Sequence, residues 1–351
     1  MESRRSFIAG MLAVGLAPKP TWADAGNPDL LSAAKKPDGS HVLCGLGSDG
    51  SIKFEISLPA RGHAAAAHPK SPEAVAFARR PGTYAIVLDC RNGRQKARLE
   101  APAGRHFFGH GAFSADGDLL FTTENDYEAN VGVVGVWDVR KRYVRMGEFM
   151  SGGIGPHDIK LMPDGDTLVV ANGGIETHPE TGRTKLNLPT MRSNLSYLQL
   201  DGTIAGQLEL SPEHQRNSIR HLAVSKAGDV AFAMQWQGDL TSDLPLLGVD
   251  RRASDRAEML KDASIRKMRG YLGSVAFDPG TGQIAATSPR SGVLQVFDKG
   301  GVVRESYIPD VCGVAASGGG FVVTSGTGLF RSVPTGDIEH EVAWDNHLIA
   351  I

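Results

Sequence analysis

One short pattern recurs seven times along the chain, and this repetition constrains the fold more than any other feature. Each copy starts on a polar or small residue, runs into apolar residues and closes in a tight turn. The copies occupy residues 63–69, 110–117, 157–165, 221–228, 274–280, 313–319 and 347–351, the last running out at the terminus. After each turn comes a second apolar run, as in 119–123, 168–171, 230–234, 284–287 and 321–324. A third follows a polar loop (133–138, 197–200, 293–298), and a more polar fourth closes the unit (206–210, 302–307). Asp-Gly and Gly-rich turns between short β-branched runs are hairpin punctuation. Four antiparallel strands per unit, at a spacing of roughly 35–65 residues, describe a propeller blade. The seventh copy supplies only an inner strand, so its other three strands must come from residues 30–34, 40–46 and 51–58. The predicted fold is an all-β, seven-bladed β-propeller over 26–351, closed by the C-terminal inner strand plus three N-terminal strands. Closure of this kind leaves no free inner edge.

Residues 1–25 follow a different pattern. Ser3-Arg4-Arg5-Ser6-Phe7-Ile8 has the form of a twin-arginine leader, followed by an apolar stretch to Ala17 and by Lys19. Ala23-Asp24-Ala25 is a small-x-small cleavage pattern, and Thr21-Trp22-Ala23 is a second. An apolar stretch of about ten residues falls short of the ~20 that span a bilayer, so the expectation is a removable signal, a periplasmic destination and no stable membrane insertion. Basic and acidic residues nearly balance, 37 against 39, and neither forms a long run. That excludes a nucleic-acid footprint. Cys44, Cys90 and Cys312 form no CxxC pair and no haem-attachment motif; Cys44 and Cys90 either pair across neighbouring strands or remain buried thiols.

The segment from Gly109-His110 to Trp137-Asp138 is similar to a WD repeat. In WD repeats the Gly-His pair lies ahead of the inner strand, whereas here His110 aligns with Ser274 and is expected to begin it. A fuller set of motifs occurs in order: Ala60-Arg-Gly-His63, Gly104-Arg-His-Phe-Phe-Gly-His110, Thr122-Thr-Glu-Asn-Asp-Tyr-Glu128, Gly155-Pro-His-Asp158, Asn172-Gly-Gly-Ile-Glu-Thr-His-Pro179, Ser218-Ile-Arg-His221 and Trp344-Asp-Asn-His-Leu348. Together with the leader they resemble a family of twin-arginine-exported propellers known only as a domain of unknown function. Its members are commonly encoded beside imelysin-like proteins and a dihaem cytochrome-type oxidoreductase in iron-responsive clusters. The resemblance implies an iron-linked periplasmic role, with an imelysin-like or cytochrome-type protein as partner, and carries no established activity or site residues.

In a propeller the inner strands all start on one face, around the central channel. Five of the seven starts are His63, His110, His157, His221 and His347, on consecutive blades, with Ser274 and Gly313 opposite. Three or more converging imidazoles bind iron, copper or zinc. Other readings are structural hydrogen bonding, a haem site and an acid–base or substrate site. A wide mouth would let one ion reach two or three rings. On the same face, Glu124, Asn125, Asp126 and Asn172 offer oxygen atoms of the kind that bind calcium in propeller hydrolases, or are simply solvated loop groups. The insertion 175–194, with His178, Arg183, Lys185 and Arg192, is expected over the mouth as a lid or docking loop, or as an ordinary surface loop. Arg220 could hold an anion there or make a surface salt bridge. No Gly-x-Ser-x-Gly elbow, P-loop or dinucleotide fingerprint is present. The leading expectation is an iron-handling propeller that binds a metal, haem or a metal-bearing partner. The alternatives are a calcium-assisted hydrolase or lactonase and a docking scaffold.

Overall fold

Strands such as Thr167–Asn172 carry apolar side chains on both faces and are wholly buried. A strand of that kind needs cover on each side, and a ring of radially packed sheets provides it. The computed structural model describes residues 19–78, 83–182, 184–241, 244–252, 256–332 and 336–351. They form seven four-stranded antiparallel sheets. The inner strands of blades one to seven are Gly62–Ala67, Arg105–Phe113, Pro156–Leu161, Asn217–Val224, Ser274–Phe277, Val311–Ser317 and Ala343–Ala350. Each packs against the next, and the seventh returns to the first. The fourth strands face solvent and are largely polar, as in Arg94–Glu100 and Ile204–Glu209. The core lies between blades. Phe77, Phe107 and Trp137 fill the joint of blades one and two, while Tyr197, Phe232 and Met234 fill that of three and four.

Blade seven closes as expected. Ala343–Ala350 pairs with Leu30–Lys35, with Leu30 opposite Ala350 and Ala34 opposite Trp344. His41–Leu46 and Ile52–Leu58 complete the sheet. Cys44, Cys90 and Cys312 are separate buried thiols, and burial pushes each up to about 12.

The twin-arginine pair and apolar stretch of the expected leader lie in residues 1–18, outside the described residues. Residues 22–25, at the end of that expected segment, pack on the propeller. Trp22–Ala25 form a short 3-10 helix, and Trp22 and Ala25 pack between blade seven (Leu31, Leu43, Ile56) and blade one (Ala65, Ala74, Leu88). The indole N–H of Trp22 donates to the carbonyl of His68 at 2.9 Å. Losing a buried Trp of this kind costs about 3–5 kcal/mol. No helix among the described residues is long and apolar enough to cross a membrane.

Candidate metal centre

The five histidines lie within the inner strands, not at their first residues. His63 and His157 are second in their strands, His221 and His347 fifth, and His110 sixth. The displacement has a backbone cause. In blades one, two, three, four, six and seven the pairing of the inner strand shifts register where the repeat position falls, between Gly62 and Ala65, Phe107 and Gly111, Pro156 and Asp158, Ile219 and His221, Val311 and Val314, and opposite Ser32/Ala34. Such a bulge adds an unpaired residue, bends the strand and re-aims its side chain. Blade five pairs without a shift, and there Ser274 instead receives a hydrogen bond from the Val314 amide at 3.3 Å. Gly313 has no room for a side chain: a Cβ would fall 3.0 Å from the Leu348 backbone nitrogen and 2.6 Å from Thr324 Oγ1. Gly109, at φ +101°, is equally constrained, since a Cβ there would lie 2.4 Å from His63 Cδ2.

The five rings form one contiguous cluster. Ring centroids of His347 lie 4.8 Å from those of His63, His110 and His221, and His157 is 4.8 Å from His221 and 5.1 Å from His110. Two triads have ligand atoms within 4.8 Å of one another: His63, His110 and His347, and His110, His157 and His221. His110 is common to both. Nitrogens around a tetrahedral ion sit about 3.3 Å apart, given metal–nitrogen bonds of about 2.0–2.1 Å, so small side-chain rotations close either triad on an ion. The arc expected around a wide mouth is therefore a packed cluster.

Asp158 orients the shared ring. It is buried, and its Oδ1 lies 3.2 Å from His110 Nδ1. The Ile159 and Leu222 amides donate to the same carboxylate at 2.8 and 3.0 Å, and Lys160 Nζ approaches to 3.3 Å. Burial alone would raise the carboxyl's pKa, but Lys160 and His110 outweigh it and hold it well below the usual range. An ionised Asp158 keeps the proton of His110 on Nδ1 and leaves Nε2 as a bare lone pair, the carboxylate–imidazole pairing typical of metal ligands. Among the described residues, His110 Nε2, His157 Nδ1, His221 Nδ1 and His347 Nε2 are buried without a hydrogen-bond partner. An unmet buried nitrogen costs about 1–3 kcal/mol, and a ligand that accepts lone pairs would meet those of one triad together.

Burial, and then repulsion from neighbouring imidazoles and Arg220, holds His157 well below its ordinary value. His347 is lowered in the same way by burial and by His221 and His110, and His221 falls to about 3. These rings are neutral at neutral pH, as metal ligands must be. A stability effect follows. Unfolded imidazoles take up protons near pH 6.5 and the folded ones only far below it, so acid favours the unfolded chain. In the metal-free protein stability should fall as pH drops below about 6.5, by about 1.4 kcal/mol per pH unit for each such ring. Urea midpoints at about pH 7.5 and about pH 5 check this; equal midpoints would contradict buried neutral rings.

Residues 56–351 match a family described as protein of unknown function (DUF1513). The chain belongs to DUF1513. No curated protein matches this DUF1513 chain in sequence. Among solved structures it is similar to Kuenenia stuttgartiensis hydrazine synthase, with a TM-score of 0.60 and 13% identity over 92% of this chain and 96% of that one. At that identity the likeness is one of fold alone, and it agrees with the propeller.

The oxygen-bearing residues expected beside the histidines are engaged elsewhere. Glu124 is buried inside blade two, gripped by Arg145 at 2.7 and 3.0 Å and by the Thr122 hydroxyl at 2.9 Å. Asp126 pairs with Arg105 at 3.2 Å and accepts from the Ala129 amide at 3.0 Å. Asn125 donates to the Thr177 carbonyl, tying blade two to the insertion, and lies 3.3 Å from His106 Nε2. Asn172 joins Ser151 and Asn194 in a buried network. His178 accepts the Glu180 amide and caps the short helix Pro179–Thr181. None of the five belongs to either ligand triad. The insertion leans on both neighbours of its blade, through Thr177 and Tyr127 on one side and a Lys185–Gln237 contact on the other. Sequence reasoning did not single out Asp158 as a site residue; its place directly after His157, at a repeat start, was the available signal.

Proposed function

We propose that this DUF1513 propeller is an exported metal-binding protein in which the histidine cluster holds one first-row transition ion, iron or copper. The observation that carries the reading is the pair of histidine triads sharing His110, in which four buried imidazole nitrogens lack a hydrogen-bond partner and Asp158 contacts Nδ1 of the shared ring. Neutral imidazole suits iron, copper and zinc, while calcium calls for oxygen ligands. The calcium-assisted hydrolase draws less support, because Glu124 and Asp126 already answer to arginines. A bare ion suits rings that touch edge to face, whereas a haem macrocycle would have to part them. In this reading the protein works in periplasmic iron handling, alongside an imelysin-like or cytochrome-type partner.

Native purification followed by elemental analysis for iron, copper and zinc tests the proposal. The expected result is about one equivalent of iron or copper, or uptake of one equivalent on titration. Less than ~0.1 equivalent of each metal, with no binding on titration, would overturn it.

A further inference from the structure

Basic side chains from blades three, four and five gather beside Arg220, the neighbour of His221. Arg220 precedes His221 on the blade-four inner strand, and its guanidinium carbon lies 3.5 Å from where a Cβ on Gly173 of blade three would sit. Lys185 reaches across from the insertion to the side-chain oxygen of Gln237, a residue whose backbone N–H donates to the Arg216 carbonyl at 2.9 Å. Gln235, two residues back, pairs with Tyr271, and the Arg290 guanidinium sits 4.2 Å above the Tyr271 ring. Lys185 is exposed, and partial desolvation by the insertion, followed by the charges of Arg220 and Arg290, lowers its pKa. Three cations from blades three, four and five thus face one another. Neutral glutamine and tyrosine position the outer two, and among the described residues neither Lys185 nor Arg290 has a carboxylate partner.

We propose that Lys185, Arg220 and Arg290 form an anion-binding collar at the histidine face, which takes a multivalent oxygen anion, a polycarboxylate or a phosphate. The inference rests on the metal reading of the cluster and deepens it. Imidazole ligands bring no negative charge and Asp158, shared with Lys160, offers only one, so a bound ion keeps an excess of positive charge, and the basic side chains nearby oppose entry of a bare cation while attracting anions. The metal would therefore arrive as an anionic chelate, or acquire an oxygen ligand from the collar once seated. Arginine and lysine grip such oxygens through charge-assisted hydrogen bonds.

The test titrates the metal-loaded full chain with citrate and, separately, with inorganic phosphate, for the wild type and for the Lys185→Gln/Arg290→Gln double variant. Metal affinity is measured in parallel by chelator competition. At least one anion should bind the wild type and bind the variant about tenfold more weakly or worse, with metal affinity unchanged. Preference for citrate identifies the collar as a carboxylate site, and preference for phosphate as a phosphate site. A chain that takes up no metal overturns the earlier reading. A chain that takes up metal but binds neither anion, or binds them equally well after both substitutions, overturns this one.

Discussion

A chain shortened to end at His347 is expected to lose its cooperative unfolding transition. The deletion removes Leu348, buried against Leu30, Cys44, Cys312 and Phe330 at the joint of blades six and seven. It also removes the pairing of Leu30 with Ala350, Leu31 with Ile349 and Ser32 with Leu348, together with the bond from the Ile351 amide to the Asp29 carbonyl. Loss of a buried Leu costs about 2–5 kcal/mol, and each buried backbone group stripped of its partner costs about 1–3 kcal/mol more. Together these rival the whole stability of an ordinary domain, about 5–15 kcal/mol. The lost pairing is the larger part of the seam of the ring, and it leaves Ala34 with Trp344, Lys35 with Ala343 and the Ser32 hydroxyl on the His347 carbonyl to hold blade seven's N-terminal strands to its inner strand. Circular dichroism with urea titration is the measurement. Removal of the exposed Ile351 alone is the control, expected to cost far less. A deletion within ~1 kcal/mol of the wild type would refute the closure.

His110→Ala is expected to lower metal affinity by at least about 100-fold, and Asp158→Asn by about 10–100-fold. His110 is the member common to both triads, so its loss leaves neither complete. In the His110 variant, Asp158 keeps Lys160 and two backbone amides as partners. Asn in place of Asp158 retains the size of the side chain but surrenders the charge that holds the His110 proton on Nδ1. His68 supplies the comparison. Its ring is also buried, yet both nitrogens are spoken for: Nε2 lies 3.1 Å from the Gly117 carbonyl, and Nδ1 accepts the Lys70 and Ser71 amides at 3.1 and 2.9 Å. His68→Ala should cost stability and leave metal affinity alone. Competition against a chelator of known affinity measures all three variants. If His110→Ala binds within about threefold of the wild type, the cluster is not the metal site.

The periodic part of this molecule was legible because each repeat carries its own physical reason. An apolar run, a glycine turn and a second apolar run make a hairpin wherever they occur, and seven of them in one chain leave few ways to bury their faces. The incomplete seventh unit was informative for the same reason: a lone inner strand, 347–351, needed partners, and only the N-terminal segment had strands to spare. The recurrence of histidine at five equivalent positions also put the candidate ligands on one face before any coordinates.

What periodicity could not convey is direction and distance. A bulge shifts one residue across the sheet without leaving a fixed mark in composition, so the aim of His63, His110 and His157 into a shared cluster appears only once the strands are paired. Glu124 read as an open loop carboxylate because its partner, Arg145, lies two strands away across the blade, opposite a glycine that makes room for it. The contacts of Trp22, on blades seven and one, are with residues far along the chain, so no local pattern announces them. By itself the sequence determined the number of blades, the closure and the five candidate ligands, which are properties of local pattern and repetition. The tertiary structure decided which of them meet, which nitrogen is left bare and which charges overlook the cluster, because each of these depends on side chains that only the closed ring brings together.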